Sequence, residues 1–172
     1  GKGARYWVYN NKVSTECRNP AYARYIYGYY TWKNKLDGMS SWTFQNTQNA
    51  SGLPMMTDAP GRDLYLAYPD PQGPLATLKW EAIREGIDDH KLIYQLMKRI
   101  KKLKQRGIDT SRYDNFLAEI SKEQNEPSCQ SGGGEERVSQ FFIQKRDNII
   151  SMILDAERRG SSDMKPVQQI SH

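Results

Sequence analysis

The sequence predicts an α/β chain in which two short parallel strands are followed by long helices and a helical C-terminal extension. Residues 6–9 are bulky, β-favouring side chains, and residues 39–46 alternate between two faces, as is typical of a strand. From Pro20 to about Leu36, aromatic and apolar residues recur at spacings of three and four, which predicts a helix packed by one face. This strand–helix–strand order favours a parallel pair.

Three more helices are predicted after a long loop at residues 47–73. They cover residues 75–106, 113–122 and 136–159, and Gly107 is a suitable stop for the first of them. Apolar residues at helical spacing mark the side that we expect each long helix to bury. On the first these are Leu78, Ala82, Ile83, Gly86, Ile87, Ile93, Tyr94, Met97 and Ile100, and on the last Val138, Phe141, Phe142, Ile149, Ile150, Ile153 and Leu154.

The composition excludes several classes of protein. No stretch of 18 apolar residues is present, so no membrane span is expected. Cys17 and Cys129 are too few to indicate a disulfide framework. His90 and His172 stand far apart without nearby ligands, so no metal site is predicted. The chain carries neither a P-loop nor a glycine-rich dinucleotide turn, and we expect no cofactor.

Two motifs occur in a fixed order along the chain. The first is Arg24-Tyr25-x-Tyr27-Gly28-x-Tyr30-x-Trp32, with Leu36-Asp37-Gly38 and Trp42 after it, and the second is Tyr68-Pro69 followed by Glu81-x-x-Arg84-Glu85-Gly86-Ile87-x-Asp89. Over residues 5–105 this pattern resembles the C-terminal part of proteins related to glycoside hydrolase family 123, a part catalogued as a domain of unknown function. The chain departs from the family pattern at Lys79 or Trp80, where arginine is expected, and at His90, where tyrosine is expected.

The resemblance implies a (β/α)8 barrel, which needs roughly 200 to 250 residues. Residues 1–107 would then be the terminal βα units of such a barrel, and residues 108–172 a helical extension with a flexible linker at 125–136. The missing strands would come from the upstream part of the same polypeptide or from a second copy. The resemblance also implies a secreted or periplasmic protein.

The implied activity is retaining, substrate-assisted hydrolysis of glycans that contain N-acetylhexosamine, by an adjacent Asp-Glu pair at a strand end. No Asp-Glu dipeptide occurs in the sequence. Its only adjacent acids are residues 88–89, inside a predicted helix, and 135–136, where negative charge suits the start of the last helix. We therefore expect the chain to shape the glycan cleft without supplying catalytic residues.

Candidate glycan-binding residues lie at the end of the second strand and in the loop after it. They are Trp42, Gln45, Asn46, Tyr65, Tyr68 and Asp70. Aromatic rings offer a flat apolar platform to sugars, and amides both donate to and accept from hydroxyl groups. In a barrel, the carboxyl end of a strand faces the active site. Packing of the aromatic residues, hydrogen bonds to the loop backbone and a purely structural loop remain the alternatives.

The acidic motif on the first long helix is interpreted as a structural set, Glu81, Arg84, Glu85 and Asp89. Like charges four residues apart repel each other, and Arg84 relieves only part of this, so a cation from another element is expected. Gly86 costs about 1 kcal/mol relative to alanine within a helix. We therefore expect it to lie against another backbone.

A basic run at residues 98–106 supports an alternative function, a helical module that binds nucleic acid or protein. Six of these nine positions are lysine or arginine, and such a stripe can neutralise phosphates. Ile100 and Leu103 keep the helix amphipathic, however, which favours an ordinary solvated face. Nucleic acid is therefore the less favoured partner.

Overall fold

The computed structural model describes residues 4–10, 12–15, 17, 19–41, 66–68, 71–122, 126–129 and 135–162. Its elements are β1 (Trp7–Tyr9), α1 (Lys12–Thr15), α2 (Pro20–Tyr25), a π-helical segment (Ile26–Tyr30), α3 (Thr31–Lys33), β2 (Gly38–Ser40), β3 (Ala67–Tyr68), β4 (Leu75–Ala76), α4 (Leu78–Gln105), α5 (Ser111–Lys122) and α6 (Glu135–Ser162). Within these ranges, no helix has the length and apolar character needed to cross a membrane.

The chain groups into two compact units, the first formed by residues 1–90 and 124–141 and the second by residues 91–123 and 142–172. In the first unit β1 and β2 pair in parallel, with Trp7 opposite Gly38. Asp37 holds the start of the pair, because its Oδ2 accepts from the backbone nitrogen of Tyr6 and its own nitrogen donates to the Tyr6 oxygen, each at 2.8 Å. The predicted parallel pair is confirmed, and residues 42–46 of the predicted strand lie outside the described residues.

A continuous helical stretch, residues 20–33, connects β1 to β2. Asn19 caps it, since its Oδ1 accepts from the Ala21 nitrogen at 2.9 Å, and Pro20 occupies the first turn. The predicted buried face is confirmed for four residues, Tyr22, Tyr25, Ile26 and Tyr29. The sequence did not predict the π-helical segment in its middle, which Thr31 supports by donating from Oγ1 to the Ile26 oxygen at 2.7 Å.

Helix α4 crosses this stretch at two glycines. A Cβ on Gly86 would lie 2.4 Å from the backbone oxygen of Arg24, and one on Gly28 would lie 2.8 Å from the Gly86 oxygen. Only glycine permits backbones to approach this closely. The expectation that Gly86 lies against another backbone is therefore confirmed, and the partner is the helix between the two strands.

A hairpin precedes α4, so the expected loop at residues 47–73 is wrong at residues 67–68, and the helix expected from residue 75 begins only at Leu78. Strands β3 and β4 pair antiparallel within that range. Thr77 follows the hairpin and donates from Oγ1 to the Leu66 oxygen at 2.7 Å. The same hydroxyl accepts from the Trp80 nitrogen at 3.2 Å, which caps the first turn of α4. This capping explains why the helix begins at Leu78.

The second unit packs the C-terminal part of α4 with α5 and most of α6. Tyr113 is fully buried there and donates from its hydroxyl to Asp155 Oδ2 at 2.7 Å. The other buried apolar side chains are Ile93, Leu96, Ile100, Leu103, Ile120, Phe142, Ile149, Ile153 and Ala156. Helix α6 begins at Glu135, so the last two positions of the predicted linker 125–136 are helical.

The buried face of α4 differs from the predicted one. Leu78 is 77% exposed, and Ile87, Tyr94 and Met97 are exposed as well. The face that is buried contains Lys79, Ile83, Gly86, Asp89, Ile93, Leu96, Ile100 and Leu103. These positions follow helical spacing closely, but Lys79 and Asp89 among them are charged. A prediction of the buried face from hydrophobicity alone therefore selects a neighbouring, shifted face. On α6, Ile150 and Leu154 are likewise exposed.

Substitution Gly86→Ala tests the helix crossing. We expect it to lower the free energy of unfolding by about 2 kcal/mol or more, because the new methyl group would overlap the Arg24 oxygen. Gly160→Ala is the matched control, because a Cβ there meets only side-chain atoms at 3.6 Å; it should leave stability unchanged or raise it by up to about 1 kcal/mol. Urea denaturation measures both, and equal effects would contradict the crossing.

Candidate functional site

The carboxyl ends of β1 and β2 form a polar edge in the first unit. Asn10 follows β1, and its backbone nitrogen donates to the Ser40 oxygen at 2.8 Å. Ser41 follows β2 and donates from Oγ to the Asn10 oxygen at 2.8 Å. The two strand ends are thus joined one residue beyond the sheet. Ligands of parallel sheets bind at this type of edge.

Tyr27 extends the polar edge from the π-helical segment. Its hydroxyl is hydrogen-bonded to the side chain of Ser41. Burial raises the pKa of the Tyr27 hydroxyl above its ordinary value, and the hydrogen bond with Ser41 offsets part of that shift. Tyr27 therefore stays neutral at physiological pH and can both donate and accept a hydrogen bond.

One acceptor of this edge is unsatisfied within the described part of the chain. The side-chain oxygen Oδ1 of Asn10 is buried, and no donor reaches it. Buried polar atoms without a partner are uncommon in folded proteins and call for an explanation. A donor from a ligand or from additional protein would complete the edge at this point.

Asn10, Tyr27 and Ser41 are not among the site residues that the sequence predicts. Tyr27 belongs to the first motif, whereas Asn10 and Ser41 belong to neither motif. Position was a signal for Asn10, which directly follows the predicted first strand. It was none for Ser41, because the predicted second strand continues to residue 46, whereas β2 ends at Ser40. The pairing of β1 with β2 brings Asn10 beside Ser41, and the helix between the strands brings Tyr27 to Ser41.

Five of the six predicted glycan-binding residues lie outside the part of the chain that the structure describes. They are Trp42, Gln45, Asn46, Tyr65 and Asp70. Trp42 directly follows Ser41 in the chain. The backbone of Tyr68 belongs to β3.

The acidic set on α4 divides into an exposed part and a buried part. Arg84 bridges Glu81 at 2.8 Å and Glu85 at 3.4 Å on the surface, where such pairs stabilise little. Asp89 is completely buried, and the side chain of Arg24 contacts both of its oxygens, with Nε at 2.7 Å and Nη2 at 3.1 Å. Arg24 belongs to α2, so this two-pronged bridge ties α4 to the helix between the strands.

A second link in the first unit is the disulfide between Cys17 and Cys129, whose Cα atoms are 4.6 Å apart. Two cysteines alone did not predict it, because the distance between them in the sequence gives no indication of contact. The Nδ2 of Asn19 donates to the Ser128 oxygen at 3.0 Å beside it. Residues 126–129 are thus fastened to the connection between β1 and α2.

Substitution of Asp89 tests the buried ion pair. Asp89→Asn should lower the free energy of unfolding by about 3 to 5 kcal/mol, because it removes the buried carboxylate that balances the Arg24 charge. Glu81→Gln is the matched control on the exposed part of the set, with an expected loss below about 1 kcal/mol. Urea denaturation compares the two, and a loss for Asp89→Asn no larger than the control would show that the bridge does not anchor α4.

Reduction tests the disulfide. Because the bond closes a loop of more than one hundred residues, removing it with Cys129→Ser should cost about 2 to 5 kcal/mol. A reducing agent should lower the thermal midpoint of the native chain and leave that of the variant unchanged. An identical decrease in both would mean that the reagent acts elsewhere.

Comparison with known proteins assigns this chain to a family. The family model for the glycoside hydrolase 123 catalytic domain matches residues 3–117, two thirds of the chain. The matched range includes the parallel pair, the polar edge, the glycine crossing and the buried ion pair. No curated protein and no solved structure matches the chain. The chain belongs to the glycoside hydrolase 123 catalytic-domain family.

Proposed function

We propose that this chain is the terminal βα part of a (β/α)8-barrel glycoside hydrolase that acts on glycans containing N-acetylhexosamine. In this proposal it forms part of the cleft wall and does not supply the catalytic acid pair. Membership of the family supports a glycoside hydrolase-like function. The N-acetylhexosamine substrate and the location of the catalytic acid pair outside this chain are additional parts of the proposal, which family membership alone does not give.

The parallel pairing of β1 with β2 is the observation that carries the proposal. Parallel strands occur almost exclusively in sheets that helices cover on both faces. Here, however, Trp7 in β1 is 65% exposed, and Tyr6 and Tyr9 beside it are exposed too. Such a pair is typical of a sheet that continues beyond the described strands. The upstream part of the same polypeptide, or a second copy, would supply the remaining strands.

The polar edge supports a glycan as the ligand. Asn10, Ser41 and Tyr27 present amide and hydroxyl groups, which both donate to and accept from sugar hydroxyls. Trp42 follows directly and would add an apolar platform for a sugar ring. In the proposed site Gln45, Asn46, Tyr65, Tyr68 and Asp70 extend this surface, as the sequence predicts.

The surroundings of Asp89 support the proposal that the acid pair lies elsewhere. A retaining glycosidase needs a carboxyl group that can reach the substrate. Asp89 is completely buried and held by both oxygens against Arg24. A carboxylate in that position maintains the fold. The catalytic Asp-Glu pair of the proposed enzyme would lie in the part that completes the barrel.

The disulfide supports a secreted or periplasmic location. Stable disulfides form in oxidising compartments and are rare in the cytosol. Cys17 is 1% exposed in its bond with Cys129.

A second candidate function is binding of a polyanion by the basic run of α4. A groove in the second unit is lined by Lys98, Arg99, Lys102 and Arg106, which favours this candidate. Two of these cations already have partners, because Arg99 bonds to Glu157 and Arg106 donates to the Gly160 oxygen. The remaining positive charge is modest, and we rank this function second.

Binding measurements at two salt concentrations separate the two functions. Isothermal titration of the 172-residue chain with an N-acetylhexosamine oligosaccharide should give an affinity that changes less than about twofold between 50 and 200 mM salt, because neutral sugars release no counterions. An oligonucleotide bound by phosphate contacts would lose orders of magnitude in affinity over that range. Oligonucleotide binding at physiological salt, with no sugar binding, would overturn the proposal.

Substitution of Trp42 tests the sugar platform. Trp42→Ala should weaken oligosaccharide binding about tenfold, equivalent to about 1.4 kcal/mol, because a stacking surface is lost. Trp80→Ala, which removes a partly exposed tryptophan from α4, is the control and should retain the native affinity. Equal affinities for native chain and Trp42→Ala would remove Trp42 from the site.

A further inference from the structure

The two faces of the β1–β2 pair differ in how far they are covered. Trp7 and Tyr9 are 65% and 56% exposed, whereas Val8 between them is half-buried. Successive side chains of a strand point to opposite faces of the sheet, so Trp7 and Tyr9 share one face and Val8 lies on the other. Within the described residues, the pair is therefore open on the face that carries Trp7 and Tyr9.

The helical stretch between the strands covers the opposite face. Met39 is the partner of Val8 in the register and is half-buried too. Ser41 follows two residues later on the same side, and Tyr27 of the π-helical segment is hydrogen-bonded to it. A helix that connects two parallel strands of one sheet packs on a single face. The open face is thus the one opposite the helix.

Large side chains of β1 face small residues of β2 across the open face. Trp7 is the partner of Gly38, and a Cβ on Gly38 would lie 2.6 Å from carbon atoms of the Trp7 ring. Tyr9 is the partner of Ser40, whose side chain is also small. Inward-facing side chains of small barrels often alternate between large and small in this way, because they must fill a narrow interior in layers.

Tyr9 lies at the end of the open face where ligands of parallel barrels bind. It is the last residue of β1, and Asn10 of the polar edge follows it directly. The Asn10 nitrogen donates to the Ser40 oxygen at 2.8 Å, which keeps the two strand ends side by side. Residues at the carboxyl ends of barrel strands contact the ligand. Trp7 lies two residues, about 7 Å, farther from that end.

We propose that the open face is the inner face of the completed barrel and that Tyr9 forms part of the floor of the glycan pocket. Its ring stacks against the apolar face of a sugar, and its hydroxyl group is a polar handle. Trp7 packs one layer deeper, among the inward side chains of the added strands. This inference rests on the proposed glycan-binding function and adds to it a substrate-contacting residue on a described strand.

Substitution Tyr9→Ala tests the contact with the sugar. In isothermal titration of the 172-residue chain with an N-acetylhexosamine oligosaccharide, the variant should bind about tenfold more weakly than the native chain, because a stacking surface is lost. Tyr9→Phe keeps the ring and should stay within about threefold of the native affinity. Tyr6→Ala is the matched control, because Tyr6 is a tyrosine of similar exposure, 66%, before the other end of β1. It should keep the native affinity.

The outcomes separate this inference from the proposed function. If the native chain binds no glycan, the proposed function fails and the role of Tyr9 fails with it. If the native chain binds the oligosaccharide and Tyr9→Ala binds it equally well, only the role of Tyr9 is overturned. Equal losses in Tyr9→Ala and Tyr6→Ala would overturn it too, because they would indicate a general effect on β1. Far-UV circular dichroism checks that each variant is folded at the temperature of the titration.

Chemical modification provides a second test that needs no substitution. Tetranitromethane nitrates accessible tyrosine rings, and mass spectrometry of peptides locates the modified residues. A saturating oligosaccharide should lower the nitration of Tyr9 and leave that of Tyr6 unchanged, because only Tyr9 lies under the sugar. Nitration of Tyr9 that is the same with and without bound oligosaccharide would contradict the contact.

Discussion

The rest of the first unit depends on the crossing at Gly28 and Gly86. Without side chains at these positions, α4 and the helix between the strands approach through their backbones. This contact brings Asp89 to Arg24, and the two-pronged bridge then fixes the rotation of α4 about its axis. A buried ion pair adds little net stability because desolvation opposes it. Its effect in this crossing is geometric, since a different register would separate the two charges.

The π-helical segment explains how one helix serves both the core and the polar edge. One extra residue per turn shifts the faces of the helix after the segment relative to those before it. Ile26 and Tyr29 point into the core, while Tyr27 reaches Ser41 at the end of β2. Gly28, at the centre of the segment, meets α4. The segment therefore includes residues that serve the core, the polar edge and the crossing.

The sequence predicted the elements better than their contacts. Helical periodicity and strand alternation located β1, the helix after Asn19 and the three later helices, and the glycine in the middle of a helix predicted a close backbone contact. The predicted buried face of α4 was right in part and shifted in part, because Lys79 and Asp89 are buried through partners that hydrophobicity does not reveal. The disulfide and the grouping of Asn10 with Ser41 each join residues that are far apart in the chain. A single sequence does not reveal which distant residues come close together in the fold.

Two independent features of β1 support the proposal that further strands lie beside it. Its aromatic side chains are exposed, although parallel strands are normally covered. The residue that follows it, Asn10, has a buried oxygen that no donor in the described residues reaches. An exposed strand and an unsatisfied acceptor are each unfavourable, and each would be relieved by further strands beside β1. The proposal that β1 lies next to the missing part of a barrel accounts for both features with one structural addition, whereas a purely local explanation needs one for each.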